Sequence, residues 1–180
     1  MVELKVGKPV PLFLHPGSED AGYAVDAALD RAADGRLHVA FRITGALDAV
    51  LLPAMRAPLR EDGLWQTTCF ELFVAGEGSG YREWNFSPAG PWAAYAFADY
   101  RKIVSPPPAV MPPVIATTVA RDFVCDILLD EDGSDAIGLC AVIERLDGMR
   151  DYWALAHGDG PPDFHARTCF AGRLVPPEAS

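Results

Sequence analysis

The segment LWQTTCFELFVAGEGSGYREWNFSPAGPWAAYAFADYR, Leu64 to Arg101, decides the fold. It reads as three strands, Gln66 to Ala75, Tyr81 to Ser87 and Pro91 to Ala98, separated by GEGSG and by the SPAGP turn. Links this short leave no room for a crossover, so the strands must run antiparallel. In the first strand Phe70, Leu72 and Val74 share one face and Cys69, Glu71 and Phe73 the other. Both faces are apolar, which marks a central strand covered on both sides.

Working outward, Tyr23 to Leu29 and Arg36 to Gly45 form a hairpin joined by DRAADG, with Asp34-Gly35 supplying the turn chemistry. In its second arm Leu37, Val39, Phe41 and Ile43 alternate with His38, Ala40, Arg42 and Thr44, the pattern of a half-buried strand. Ala46 to Asp62 breaks the alternation. Pro53 and Pro58 limit it to a crossover with at most a short helix. The run SPPPAVMPP, Ser105 to Pro113, lacks the backbone donors of a central strand and reads as a loop or edge covering. Strands resume at Val114 to Ala120, Phe123 to Leu129, Ile137 to Ile143, Tyr152 to His157 and Cys169 to Leu174, with EDGSD and LDGMR as turns. About ten short strands, no convincing amphipathic helix and no fixed repeat predict an all-β, antiparallel sandwich. Residues 1–180 are too few for two substantial cores and read as one domain.

Half of the residues are hydrophobic and 22% are charged, so the chain should fold without a metal or disulfide to staple it. A net charge of −10 repels phosphate backbones and anionic lipid, so neither nucleic acid nor a membrane surface is an expected partner. The N-terminal MVELKVGKPVPLFLHPGSED carries no secretory pattern and no later stretch approaches a membrane span, which predicts a soluble cytoplasmic protein. Cys69, Cys125, Cys140 and Cys169 stand singly, without C-x-x-C spacing, and are expected to act as small buried hydrophobes.

The motif order LW-x-x-T-C-F-E-L-F, Y-x-E-x-N-F-S-P-x-G-x-W-A-A-Y-x-F-x-x-Y-R, A-V-I-E, Y-W-A-L-A-H and P-D-F-H, spread over Leu64 to Leu174, resembles the DOMON-like proteins related to family 9 carbohydrate-binding modules. The resemblance implies an immunoglobulin-like or jelly-roll-like sandwich whose relatives bind sugars or haem in a pocket at one end or face of the sheets. It implies no catalysis, and fold kinship alone does not transfer a ligand.

The residues make their own case for a site. Glu71 stands among bulky apolar side chains, where an unpaired carboxylate costs several kcal/mol or takes up a proton. On the next strand Tyr81, Glu83, Asn85 and Ser87 share a face. A register that sets Glu71 on that face gives a polar row able to hold ligand hydroxyls or a cation. In the competing account Glu71 pairs with Arg42 or Arg145, and Asn85 satisfies the Ser87-Pro88 turn. Trp65 and Trp92, at strand starts beside turns, are the expected stacking platforms, whereas Trp84 and Trp153 sit mid-strand and are expected in the core.

Other ligand chemistries leave weaker signals. His157, Asp163 and His165 lie around GDGPPDFH and could bind a transition metal, but without a fixed ligand spacing. His38 on a solvent face and His15 before a proline turn are given no role. Haem would need Met55 or Met111 opposite His157 or His165, and the chain lacks C-x-x-C-H. Glu71 and Glu83 could form a glycosidase pair if their carboxyls lay roughly 5–9.5 Å apart, yet no nucleophile elbow or Ser/His/Asp set accompanies them.

The reading is therefore a non-catalytic binder of a small polar ligand, a carbohydrate or sugar-containing metabolite, with no resident cofactor. Trp65 and Trp92 would stack, Glu71, Glu83 and Asn85 would hold hydroxyls, and Tyr95 and His157 complete the expected set. Haem binding, and protein interaction through an exposed edge strand, are the alternatives.

Overall fold

The computed structural model describes residues 1–131 and 136–175. The turn expected at EDGSD falls at 132–135, outside the described residues. Two β-sheets pack face to face with no α-helix among the described residues, only short 3-10 turns at Leu47–Ala49, Leu64–Gln66 and Arg167–Cys169. The all-β single-domain sandwich expected from the alternation is what forms.

The smaller sheet is built on the hairpin of β4 (Tyr23–Arg31) and β5 (Leu37–Gly45). In β5 the side chains of Leu37, Val39, Phe41 and Ile43 are fully buried while Arg42 is exposed, as its period of two requires. With β2 (Val10–Pro11), β10 (Val114–Val119) and β11 (Phe123–Leu129) the order is β10-β11-β5-β4-β2. The proline-containing β2 and the half-exposed β10 are its edges, where a missing donor or partner is tolerated.

The larger sheet holds the three expected strands, β6 (Cys69–Ala75), β7 (Tyr81–Phe86) and β8 (Trp92–Asp99), in consecutive antiparallel pairs. Adding β1 (Val2–Lys5), β9 (Lys102–Ile103), β12 (Ile137–Glu144) and β14 (Gly172–Val175) gives the order β1-β14-β12-β6-β7-β8-β9. The far half of β12 pairs instead with β13 (Arg150–Ala154), which carries β3 (Phe13–Leu14). One pair departs from the antiparallel expectation: β1 runs parallel to β14. The hairpin argument governs strands adjacent in sequence, and these two are separated by nearly the whole chain.

Phe70 ties the sheets together. Its ring stacks on Phe41 at 4.8 Å and on Phe123 at 6.0 Å between centroids, and all three rings are buried. Leu72, Trp84, Phe86, Leu139 and Ile143 extend the same layer. Burying one such side chain stabilises the fold by about 1.5–3 kcal/mol.

The outer face of the large sheet is covered as well. The strand expected to run to His157 ends at Ala154, because Gly158, Gly160, Pro161 and Pro162 cannot continue a ladder, and residues 155–171 fold over β6, β7 and β12 instead. Phe164, Cys169 and Phe170 from this cover pack on Phe73, Tyr81, Phe97, Cys140 and Val142 of the sheet. All four cysteines are buried and unpaired, as expected. No helix among the described residues is long and apolar enough to cross a membrane.

Phe70→Ala should lower unfolding stability by about 3–5 kcal/mol in urea titration, while Phe13→Ala at an exposed edge shifts it by less than about 0.5 kcal/mol. A loss under about 1 kcal/mol for Phe70→Ala would contradict its bridging role.

Candidate functional site

Strand parity and register put the acidic residues together. Across the sheet, Cys140 faces Glu71 and Glu71 faces Asn85, while Phe73 faces Glu83 and Glu83 faces Tyr95. Glu71 therefore lies on the Glu83–Asn85 face, the arrangement that the sequence left open, and that face is the outer one. The cover does not close over it. A cavity of ≈ 600 Å³ remains, with Glu71 and Glu83 in its floor and Trp65, Tyr95, Tyr152 and Phe164 around it.

Glu71 is 3% exposed and has no hydrogen-bond or ion-pair partner among the described residues. The other buried acids are answered within the fold. Glu131 accepts from Arg82 and from the Trp84 indole, Asp151 accepts from the Tyr23 hydroxyl beside Arg145, and Glu83 Oε1 accepts from Asn85 Nδ2 at 2.7 Å. Burial, reinforced by repulsion from Glu83, holds the Glu71 carboxyl well above the ordinary carboxylate range, with Arg101 pulling the other way. Burial likewise pushes Glu83 up to about 7, against the Asn85 hydrogen bond and the Arg101 charge.

His165 and Arg101 close one side. His165 Nε2 lies 3.6 Å from Glu83 Oε2, and its Nδ1 is 2.7 Å from the Tyr81 hydroxyl. Burial and then Arg101 lower His165 to about 4, so at neutral pH it is an uncharged ring. With the Tyr81 hydrogen on Nδ1, the Nε2–H points toward Glu83. Arg101 occupies the two-residue turn between β8 and β9 and is the one non-glycine among the described residues at positive φ, 52°. Its backbone N–H donates to the Tyr81 hydroxyl at 3.1 Å and its guanidinium to Asp163 at 2.8 Å, contacts that offset a left-handed conformation costing roughly 1–2 kcal/mol. Opposite, Tyr95 donates to Asp62 at 2.8 Å and lies under the Arg60 guanidinium.

Of the expected ligand residues, Trp65, Glu71, Glu83 and Tyr95 line this cavity. Trp65 is 53% exposed, because Gly63 at φ 78° and the following 3-10 turn lift it out before β6 begins at Cys69. Three expectations need correction. Trp92 is buried, since it shares the inward parity of Phe86 and Trp84 and the crossover at Leu59 and Glu61 hydrogen-bonds along its backbone. Asn85 is fully buried, with its amide engaged on Glu83, so it positions that carboxyl without reaching the cavity. His157 lies outside the lining and donates to the Phe13 carbonyl at 2.7 Å, tying the cover to β3.

The remaining pairings fall elsewhere. Arg42 binds Asp122 and Arg145 binds Asp147 and Asp151, so neither answers Glu71. Asp163 is engaged by Arg101 and Tyr100, which parts it from His157. Met55 and Met111 are exposed, and the Met55 sulfur accepts from Thr117 on the small sheet. Sequence reading does not single out Arg101, Tyr152 or Phe164 for the site. Of the three, only Phe164 lies within GDGPPDFH, the stretch read for a metal through His157, Asp163 and His165.

No protein-family model matches the chain, and no curated protein matches it in sequence. Among solved structures, a candidate carbohydrate-binding protein from Bacteroides uniformis is similar with a TM-score of 0.61 and 13% identity, over 93% of this chain and 86% of that one. At that identity the likeness is one of fold.

Because both floor carboxyls bind protons more tightly folded than unfolded, the stability their protonated forms carry is complete below about 4.5 and is lost as pH rises through about 7 and beyond. Glu71→Gln should therefore exceed the parent protein in stability at pH 8 by about 1–3 kcal/mol and converge with it near pH 4.5. Denaturant titration at both pH values checks this. A variant no more stable at pH 8 contradicts the assignment.

Proposed function

We propose that the protein binds a small saccharide or sugar-containing metabolite, without catalysis, in the cavity over β6 and β7. One observation carries the reading: a half-exposed indole, Trp65, stands beside a ≈ 600 Å³ cavity whose floor holds two carboxyl groups. A sugar ring has an apolar C–H face that stacks on an aromatic ring and an edge of hydroxyls that carboxyl groups can hold. Trp65 supplies the stacking surface, Tyr95 and Phe164 the flanking walls, and Glu71 and Glu83 the polar anchors, with Asn85 and His165 orienting Glu83.

The cavity has the size of a small-molecule site, which favours a short saccharide over a polymer. Likeness of fold to a candidate carbohydrate-binding protein supports the reading, as does the motif resemblance to sugar-binding sandwiches.

Thermal-shift screening of mono- and disaccharides, followed by calorimetric titration, tests it. A saccharide should raise the unfolding midpoint, and Trp65→Ala should weaken its binding at least about fivefold. Trp92→Ala should instead destabilise the core by about 3–5 kcal/mol while the folded fraction still binds. No saccharide response, or binding indifferent to Trp65→Ala, overturns the proposal. A Soret band on adding haem that survives in Trp65→Ala would favour the haem reading in its place.

A further inference from the structure

We propose that the group seated between Glu71 and Glu83 is a protonated amine, so that the ligand of this cavity is an amino sugar with a free ammonium. The inference rests on the saccharide reading and names the chemical class within it.

A buried carboxyl needs an opposite charge, a donor or a proton. Wherever else the fold buries an acid it supplies such a partner, as Arg82 and Trp84 do for Glu131 and Tyr23 and Arg145 do for Asp151. Over Glu71 it supplies none. The side chain is 3% exposed, lines the cavity, and meets no donor among the described residues. Glu83 commits Oε1 to Asn85, leaving Oε2 turned toward His165 at a distance of 3.6 Å.

The neighbouring cations are already engaged. Arg101 binds Asp163 at 2.8 Å, and Arg60 pairs with Asp62 at 3.2 Å. Among the described residues, the floor is therefore left with two acids and no cation paired to Glu71. An ammonium brings three donors and one positive charge into a small volume, which matches the free oxygens of a carboxyl pair. Trp65, Tyr152 and Phe164 line the same space, and aromatic rings favour a cation together with the apolar face of the sugar that carries it. A phosphorylated or carboxylated sugar would meet repulsion from the floor, and an N-acetyl group would bring no charge. A metal ion fits less well, since no cluster of three or more His, Cys, Asp or Glu among the described residues is placed to hold one.

The groups facing the floor decide what titrates when the ligand enters. Cys69 on β6 and Cys140 on β12 flank Glu71, and burial pushes both thiols up. Tyr81 and Tyr95 beside Glu83 are raised as well, chiefly by burial, and His165 is lowered. Tyr152 faces the same space from β13, while Asp62, Arg101 and Asp163 sit in ion pairs. An entering ammonium thus displaces a proton from the Glu71–Glu83 pair, and no proton leaves when a neutral sugar binds.

Calorimetric titration at pH 7 in two buffers of different ionisation enthalpy, neither a primary amine, tests this with glucosamine, glucose, N-acetylglucosamine, cyclohexylamine and Ca²⁺. Glucosamine should bind at least about tenfold more tightly than glucose or N-acetylglucosamine and release a proton on binding. Glu71→Gln, which keeps the side-chain shape, should abolish both the preference for glucosamine over glucose and the proton release, so that the two sugars bind the variant within about twofold of each other. Equal binding of glucosamine and glucose overturns the amine inference while the saccharide reading stands. Cyclohexylamine binding as tightly as glucosamine supports the ammonium site and overturns the saccharide reading. Glu71-dependent binding of Ca²⁺ without amine discrimination makes the floor a metal site and overturns the inference, and no binding of any probe overturns both.

Discussion

Glu71 sits on a strand enclosed on both faces, and no donor or cation among the described residues pairs with the carboxyl it carries. On one side of β6 the phenyl ring of Phe70 locks the two sheets together through Phe41 and Phe123. On the other side residues 155–171 cover the sheet. A glutamate in that position is desolvated whatever the ligand, and register places a second glutamate diagonally beside it. Two acids so close and so poorly hydrated cannot both be ionised without a partner. The cavity above them is the consequence of a cover that packs on Phe73, Tyr81 and Phe97 but stops short of Glu71.

The shell around the site is tied together by hydrogen bonds across the cover. Tyr81 accepts the Arg101 N–H and binds His165, and Asp163 receives both Arg101 and Tyr100. These contacts fasten the β8–β9 turn to the cover and hold Arg101 at positive φ. The wall is thereby held by contacts internal to the fold. Trp65, on its 3-10 turn, remains half exposed.

Much of this was legible in the sequence, for reasons that differ by residue. Alternation in β5 and the short links between β6, β7 and β8 specify the sandwich because side-chain parity and hairpin length are local properties. Glu71 stood out because a charge inside an apolar run on both faces has few satisfactory solutions. For Trp92 the turn position suggests exposure, while its parity with Phe86 directs the indole inward, and the crossover lies along its strand. His157 shares a loop with His165, but one turned to a backbone carbonyl and the other to the cavity, a choice made by the path of the cover. Arg101 and Phe164 join the site through contacts between residues distant in sequence, Arg101 to Asp163 and Phe164 to Tyr152 among them, and no local pattern encodes those. The pairing of β1 with β14 likewise joins segments distant in sequence, which no local pattern encodes.

The central claim is that the protein holds two mutually repelling acids in this floor, with no cation among the described residues paired to Glu71. Carboxyl ¹³C NMR of the glutamate side chains, followed through a pH titration, measures that directly. The account predicts two glutamate resonances that titrate far above the ordinary value of 4.5, with Glu83 near 7 and each perturbed by replacing the other with glutamine. Both signals titrating independently near 4.5 would contradict it.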